Sequence, residues 1–318
     1  MPATGEELGQ RLRDGDLSVA PAVLNIVESR AAADRGEIAA LLHAVSPAAL
    51  GGEAPAYVVG VTGPPGVGKS SLLSELVRAW RARGRSVAVL AVDPSSRRSG
   101  GALLADRARI AADAADRAVF IRSMAAGGRL GGLAPATRAA AHALAAAFDV
   151  VVVETVGVGQ SETEIAEVAD TVAVVVQPGG GDVLQFLKSG IMEIPDVLVV
   201  TKADLGQLAQ RTRRDLNAAL RSLGARDTRV LAVSSLAPAA GFDELVEALD
   251  DHRGSLDVAA RRASARRASA LADFVAEHGD RGLRALGGAR SAARLLDEQD
   301  AALDVCALTR VLERATAP

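Results

Sequence analysis

Residues 63–70 read GPPGVGKS, with YVVGVT before them and SLLSELVRAW after. A Gly-x4-Gly-Lys-Ser spacing between a strand-type run and a helix-type run is what a phosphate-cradling loop requires. Gly66 and Gly68 let the backbone fold so that successive N–H groups face inward at anionic oxygens. Lys69 reaches the β- and γ-phosphates of a nucleotide, and the Ser70 hydroxyl is placed for Mg2+.

A second stretch, TKAD at 201–204, closes a later apolar run. The Asp204 carboxylate can accept two hydrogen bonds from guanine, at N1–H and the exocyclic amine, while the Lys202 stem packs on the base face. Adenine offers a lone pair at N1 and no amine at C2, so it would leave that carboxylate unpaired. The usual first residue of this motif is Asn; Thr201 keeps a hydroxyl and loses the amide. Downstream, VSSL at 233–236 can turn the backbone N–H groups of Ser234, Ser235 and Leu236 toward the guanine oxygen.

Two further stretches carry carboxylates. In ETVGVGQSE, 154–162, Glu154 and Gly157 stand at the spacing of an Asp-x-x-Gly switch: a carboxylate near Mg2+ and a glycine whose N–H senses the γ-phosphate. The water-orienting position after that glycine is Val158, and Gln160 lies two residues further on, which predicts slow unaided hydrolysis. In VDPSSRRSGG, 92–101, Asp93 can hold Mg2+ or the attacking water, or simply form an Asp-Pro turn that caps a helix. Lys69, Asp93, Glu154 and Gly157 are therefore the candidate catalytic set, and Ser70, Asp93 and Glu154 the candidate Mg2+ ligands, with GTP as substrate and GDP as product.

The elements that must position these residues are legible as apolar runs. YVVGVT (57–62), SVAVLAV (86–92), AVFI (118–121), DVVVVE (149–154), TVAVVV (171–176), DVLVVT (196–201) and RVLAV (229–233) alternate with helix-length segments. Strands apolar on both faces imply a mostly parallel sheet covered on both sides, an α/β phosphate-loop NTPase fold. Residues 1–54 read as a helical N-terminal region, 55–253 as the nucleotide-binding domain and 254–318 as a helical C-terminal region. Within the last, the Arg-rich stretch 261–267 reads as a solvated helix face rather than a nucleic-acid patch.

Composition narrows the class. The 318 residues carry a formal net charge of −3, which gives no bulk attraction for nucleic acid or an anionic membrane. No apolar run reaches the roughly 18 residues that span a bilayer, and the first residues lack a basic-then-apolar leader, so the expectation is cytoplasmic. His43, His142, His252 and His278 are scattered and Cys306 stands alone, which argues against a metal-ligand cluster. Among 36 basic residues the lysines are Lys69, Lys188 and Lys202. Arginine's planar fork cannot replace a compact ammonium, so Lys188, which no nucleotide motif explains, is a candidate for coupling to a partner.

Together GVTGPPGVGKSSL, AVLAVDPSSRRSGG, VVVETVGVGQSETEIAEVAD and GGGDVLQFLKSGIMEIPDVLVVTKADL resemble the MeaB/ArgK family of GTPases, chaperones of adenosylcobalamin-dependent methylmalonyl-CoA mutase. The likeness runs from about residue 10 to 250 and implies a fold of the signal-recognition/MinD/BioD class. It implies that Gly63, Pro64, Pro65, Gly66, Val67, Gly68, Lys69, Ser70 and Ser71 hold phosphates, that Asp204 holds the base, and that Ser70, Asp93 and Glu154 surround Mg2+. It further implies a homodimer made by the C-terminal helices and a loop at 177–188, ending at Lys188, that signals nucleotide state to the mutase. An ATP-using kinase of a basic-amino-acid transport system and a regulatory GTPase with an unrelated client are the competing expectations.

Overall fold

The computed structural model describes residues 3–29, 31–93, 110–113, 115–125, 133, 135–155, 164–179, 195–225 and 227–316. The chain forms two compact units: Tyr57–Ala134 with Asp149–Leu256, and Met1–Ala56 with Pro135–Phe148 and Asp257–Pro318.

The first unit is built on seven parallel strands: β1 Tyr57–Thr62, β2 Val87–Asp93, β3 Val119–Ala125, β4 Val150–Glu154, β5 Thr171–Val176, β6 Val197–Val200 and β7 Arg229–Ala232. Their order is β3-β2-β4-β1-β5-β6-β7. The inner strands β1, β4, β5 and β6 are buried at every residue, as valine-rich runs without alternation require. The edge strands β3 and β7 are only partly covered. Between them runs helix Lys69–Ala82, which buries Leu72, Leu73, Leu76, Val77 and Trp80 at helical spacing against the valines of β1, β2 and β4. Helices Gln207–Ser222 and Phe242–Ser255 complete this unit among the described residues.

In chain order the described helices are α1 Gly5–Arg13, α2 Ala20–Val27, α3 Arg35–Ala44, α4 Pro47–Leu50, α5 Lys69–Ala82, α6 Pro135–Leu144, α7 Gln207–Ser222, α8 Phe242–Ser255, α9 Val258–Ala285, α10 Ala289–Asp297 and α11 Val305–Thr316. Strand order reverses at β1, whose neighbours are β4 and β5; the crevice beyond the carboxyl ends of such strands is where ligands of open α/β sheets bind.

The second unit is helical. α9, α10 and α11 close over Ala270, Phe274, Ala292, Leu296, Leu308 and Leu312. The Arg-rich stretch departs from the solvated face expected of it. Arg262 and Arg266 recur at i and i+4 on the inner side of α9 and are buried. Arg262 donates to the carbonyls of Ala54 (2.7 Å) and Ala56 (2.6 Å). Arg266, 2% exposed, makes a two-pronged pair with Glu53 (2.9 and 2.7 Å) and also donates to the Ala301 carbonyl (2.6 Å). A guanidinium presents five donors in a fixed fork, so two of them can serve the backbone and carboxylate of residues 53–56 where a lysine could not. No helix among the described residues is long and apolar enough to cross a membrane.

Candidate functional site

β1 delivers the chain to Gly63, whose φ is +147° and whose position would put any Cβ 2.2 Å from the Val175 carbonyl oxygen of β5. The loop must pass this close to β5, so only glycine fits. Gly66 and Gly68 also carry positive φ, at 80° and 97°, and no side chain caps α5. The first-turn N–H groups of α5, with the helix dipole behind them, are thereby left facing the loop for an anion. Lys69 is 8% exposed, and its Nζ donates to the carbonyls of Gly63 (2.7 Å) and Pro64 (3.3 Å). The ammonium thus lies at the foot of the loop. Ser70 is half-buried one residue into α5, while Pro65 and Ser71 are exposed.

The neighbouring strands end on residues that carry carboxylates. Glu154, 3% exposed, ends β4 and pairs in register with Val61 of β1 and Ala91 of β2. The following Thr155 donates to the Thr62 hydroxyl (2.8 Å), tying the β4 exit to the root of the phosphate loop. Asp93 is the last residue of β2, two beyond the partner of Glu154. Hydroxyl and carboxylate oxygens are the hard donors that magnesium takes, and a carboxylate as buried as Glu154 suits a cation near it, so these residues fit that ion. Gly157, Val158, Gln160 and Lys188 lie outside the described residues.

The base loop follows β6. Thr201, buried, donates its hydroxyl toward the carbonyls of Val67 (2.7 Å) and Val176 (3.1 Å). The hydroxyl that replaces the usual amide therefore still ties the base loop to the phosphate loop. Lys202 is left-handed at φ 54°, ψ 43°, and among the described non-glycine residues only it has positive φ. That conformation costs about 1–2 kcal/mol and is held here by neighbours, including Ala203 N–H on the Val233 carbonyl (3.0 Å). The Lys202 ammonium donates to the Gln177 side-chain oxygen at the β5 exit, a contact nothing in the sequence announces. Asp204 is exposed, and its Oδ1 accepts from the Ser234 hydroxyl (2.8 Å). Of the three backbone donors expected at 234–236, Ser234 N–H goes to the Ala240 carbonyl (3.0 Å) and Leu236 N–H to the Ser234 hydroxyl (3.3 Å). The Ser235 N–H has no partner among the described residues. The Leu236 side chain is 65% exposed beside it.

Elsewhere, burial pushes the Cys306 thiol up to about 11, which leaves it protonated and a poor nucleophile at neutral pH. The expectation of no metal-ligand group needs one correction. His278 lies with Glu277 and Glu313 in a set whose ligand atoms fall within 4.8 Å of one another. It is a surface group in which Glu277 already pairs with Arg35 (3.1 Å).

A glycine-rich loop at the end of the central strand, carboxylate residues on the next strand ends and a Thr-Lys-Ala-Asp loop tied to the glycine-rich loop place this chain among the phosphate-loop GTPases. Residues 20–282 match the family model described as methylmalonyl Co-A mutase-associated GTPase MeaB, and the chain belongs to that family. A Pyrococcus abyssi protein with a GTPase name is 42% identical over 82% of this chain and 80% of its own length. GTPase ArgK of Escherichia coli is 36% identical, covering 81% of this chain and 79% of the relative. A solved structure described as a LAO/AO transport system kinase aligns with a TM-score of 0.66 and 29% identity, across 99% of this chain and 98% of the other. The chain is a GTPase with a P-loop NTPase fold.

Proposed function

We propose that this GTPase is a cytoplasmic, homodimeric chaperone that gates cofactor loading and protects an adenosylcobalamin-dependent mutase, with methylmalonyl-CoA mutase as the client. The observation that carries this reading is the family match over residues 20–282, whose description names that mutase. A Caenorhabditis briggsae relative named methylmalonic aciduria type A homolog, 36% identical over 70% of this chain and 57% of its own length, supports it.

In this reading Gly63 to Ser71 hold the phosphates of GTP, and Ser70, Asp93 and Glu154 hold Mg2+, which offsets charge between the phosphates. Lys69 turns from the loop carbonyls to the β/γ-phosphate oxygens and stabilises the charge that develops there during transfer. Asp204, Lys202 and the 234–236 turn take the guanine. Val158, next to Gly157, offers no polar group to orient water, so turnover is slow until the client completes the site. Lys188 couples the loop at 177–188 to the client.

The kinase name of the solved relative favours a second reading, an ATP-using kinase for basic-amino-acid transport. One experiment separates the two: hydrolysis of GTP and of ATP is followed with and without purified methylmalonyl-CoA mutase. Stimulation of GTP hydrolysis by the mutase, reduced in Lys188→Ala with basal turnover retained, is the expected outcome. ATP turnover matching that of GTP refutes the proposal, as does a mutase that neither binds nor stimulates.

A further inference from the structure

We infer that Gln177, at the exit of β5, is a positioning residue for nucleotide binding: its side-chain amide presets Lys202 for the face of the purine. The inference rests on the base-site reading above.

Three observations meet at this segment. Thr201 directs its hydroxyl to the carbonyls of Val67 and Val176, so the base loop is fixed to the residue just before Gln177. Lys202 follows in the left-handed region, which turns its side chain back from β6, and its ammonium donates to Gln177 Oε1. Two residues on, Gly179 passes so close to α7 that a Cβ there would lie 3.3 Å from Leu208 Cδ2. Half-buried Gln177 is therefore set between a strand fixed to the phosphate loop and a turn pressed on the helix that leaves the base loop.

A lysine stem samples many rotamers when its ammonium is solvated, and ordering it on a ligand costs affinity. An acceptor already in place removes part of that cost. Gln177 is suited to the task because a neutral amide oxygen orients the ammonium without neutralising it, so the charge still counts toward an anionic ligand. The contact acts on the face of the base, which every purine shares. Asp204 acts on the edge, where guanine and hypoxanthine differ by the 2-amine.

The test is calorimetric binding of GDP and IDP to wild type, Gln177→Leu, Gln177→Glu, Lys202→Ala and the Gln177→Leu/Lys202→Ala double variant. Gln177→Leu is expected to weaken both nucleotides by the same factor, roughly fivefold to tenfold, because the lysine side chain must then be ordered by the ligand alone. The preference for GDP over IDP stays as in wild type. Gln177→Glu keeps an acceptor but neutralises the ammonium, so it too weakens both nucleotides, and in the Lys202→Ala background Gln177→Leu has no further effect. At saturating GTP the hydrolysis rate of Gln177→Leu matches wild type, so the change lies in KM. Should the leucine variant fail to fold, Gln177→Ser, too short to reach the ammonium, takes its place. Unchanged GDP affinity, a loss that persists without Lys202, or a shifted GDP/IDP ratio overturns the inference. A wild type that binds no GDP refutes the underlying site, and takes the inference with it.

Discussion

Replacing Asp204 by asparagine exchanges one acceptor oxygen for a donor at the point where the base edge docks. A carboxylate offers about four lone-pair positions. The Ser234 hydroxyl takes one at Oδ1, which fixes the group's rotation and leaves Oδ2 and the far side of Oδ1 for the N1–H and 2-amine of guanine. A hydrogen bond to a charged group contributes about 1.5–3 kcal/mol, so the pair is worth roughly 3–6 kcal/mol, or about 10²–10⁴ in affinity. The asparagine amide keeps an acceptor for N1–H but turns a donor toward the 2-amine of guanine, while xanthine, with a carbonyl at C2, accepts from it. In competition calorimetry Asp204→Asn should therefore lose at least about 10² in GDP affinity and gain xanthosine diphosphate, with ADP weak in both proteins. An Asp204→Asn variant that binds GDP as wild type does, or a wild type that binds ADP as well as GDP, refutes the assignment of the base site.

Lys69→Ala should abolish single-turnover GTP hydrolysis, because it removes the ammonium held at the foot of the phosphate loop; retained turnover means the phosphates lie elsewhere. Thr201→Val, nearly isosteric and buried, should raise the Kd for GDP roughly fivefold to thirtyfold by cutting the tether from the base loop to Val67, checked by calorimetry. Arg266→Leu should destabilise the fold by about 3 kcal/mol, since it leaves Glu53 without its buried partner, and adding Glu53→Leu should recover part of that loss in urea unfolding.

The sheet was readable because each strand is apolar on both faces, a pattern that leaves one way to bury it. β3 outruns its apolar run at 118–121, which Arg122 and Ser123 interrupt; on an edge strand such residues are tolerated, and the strand continues to Ala125. The phosphate loop was legible from glycine spacing alone, since its backbone needs positive φ at fixed offsets. Thr201 was seen as a departure from Asn, but that its hydroxyl retains a tether to Val67 depends on two strand exits meeting, which spacing does not encode. Gln177 opens the 177–188 segment, but nothing in the sequence marks it as the partner of Lys202. Arg262 and Arg266 misled because arginine on a helix is usually solvated; their i, i+4 spacing beside the alanine face of α9 was the cue that they share one side.

The grip of Arg262 and Arg266 on residues 53–56 also sets an order of events during synthesis. Glu53 leaves the ribosome 213 residues before its partner Arg266. At about 5–20 residues per second that is roughly 10–40 s in which the N-terminal helices lack the residues that hold their exit segment. Every strand of the sheet is made within that interval, so the nucleotide-binding unit can close on its own local contacts first. The helical unit, whose closing contacts span the largest separations in the chain, is the one whose completion must wait for the C-terminus, and a truncation after residue 256 would release it from the ribosome unfinished.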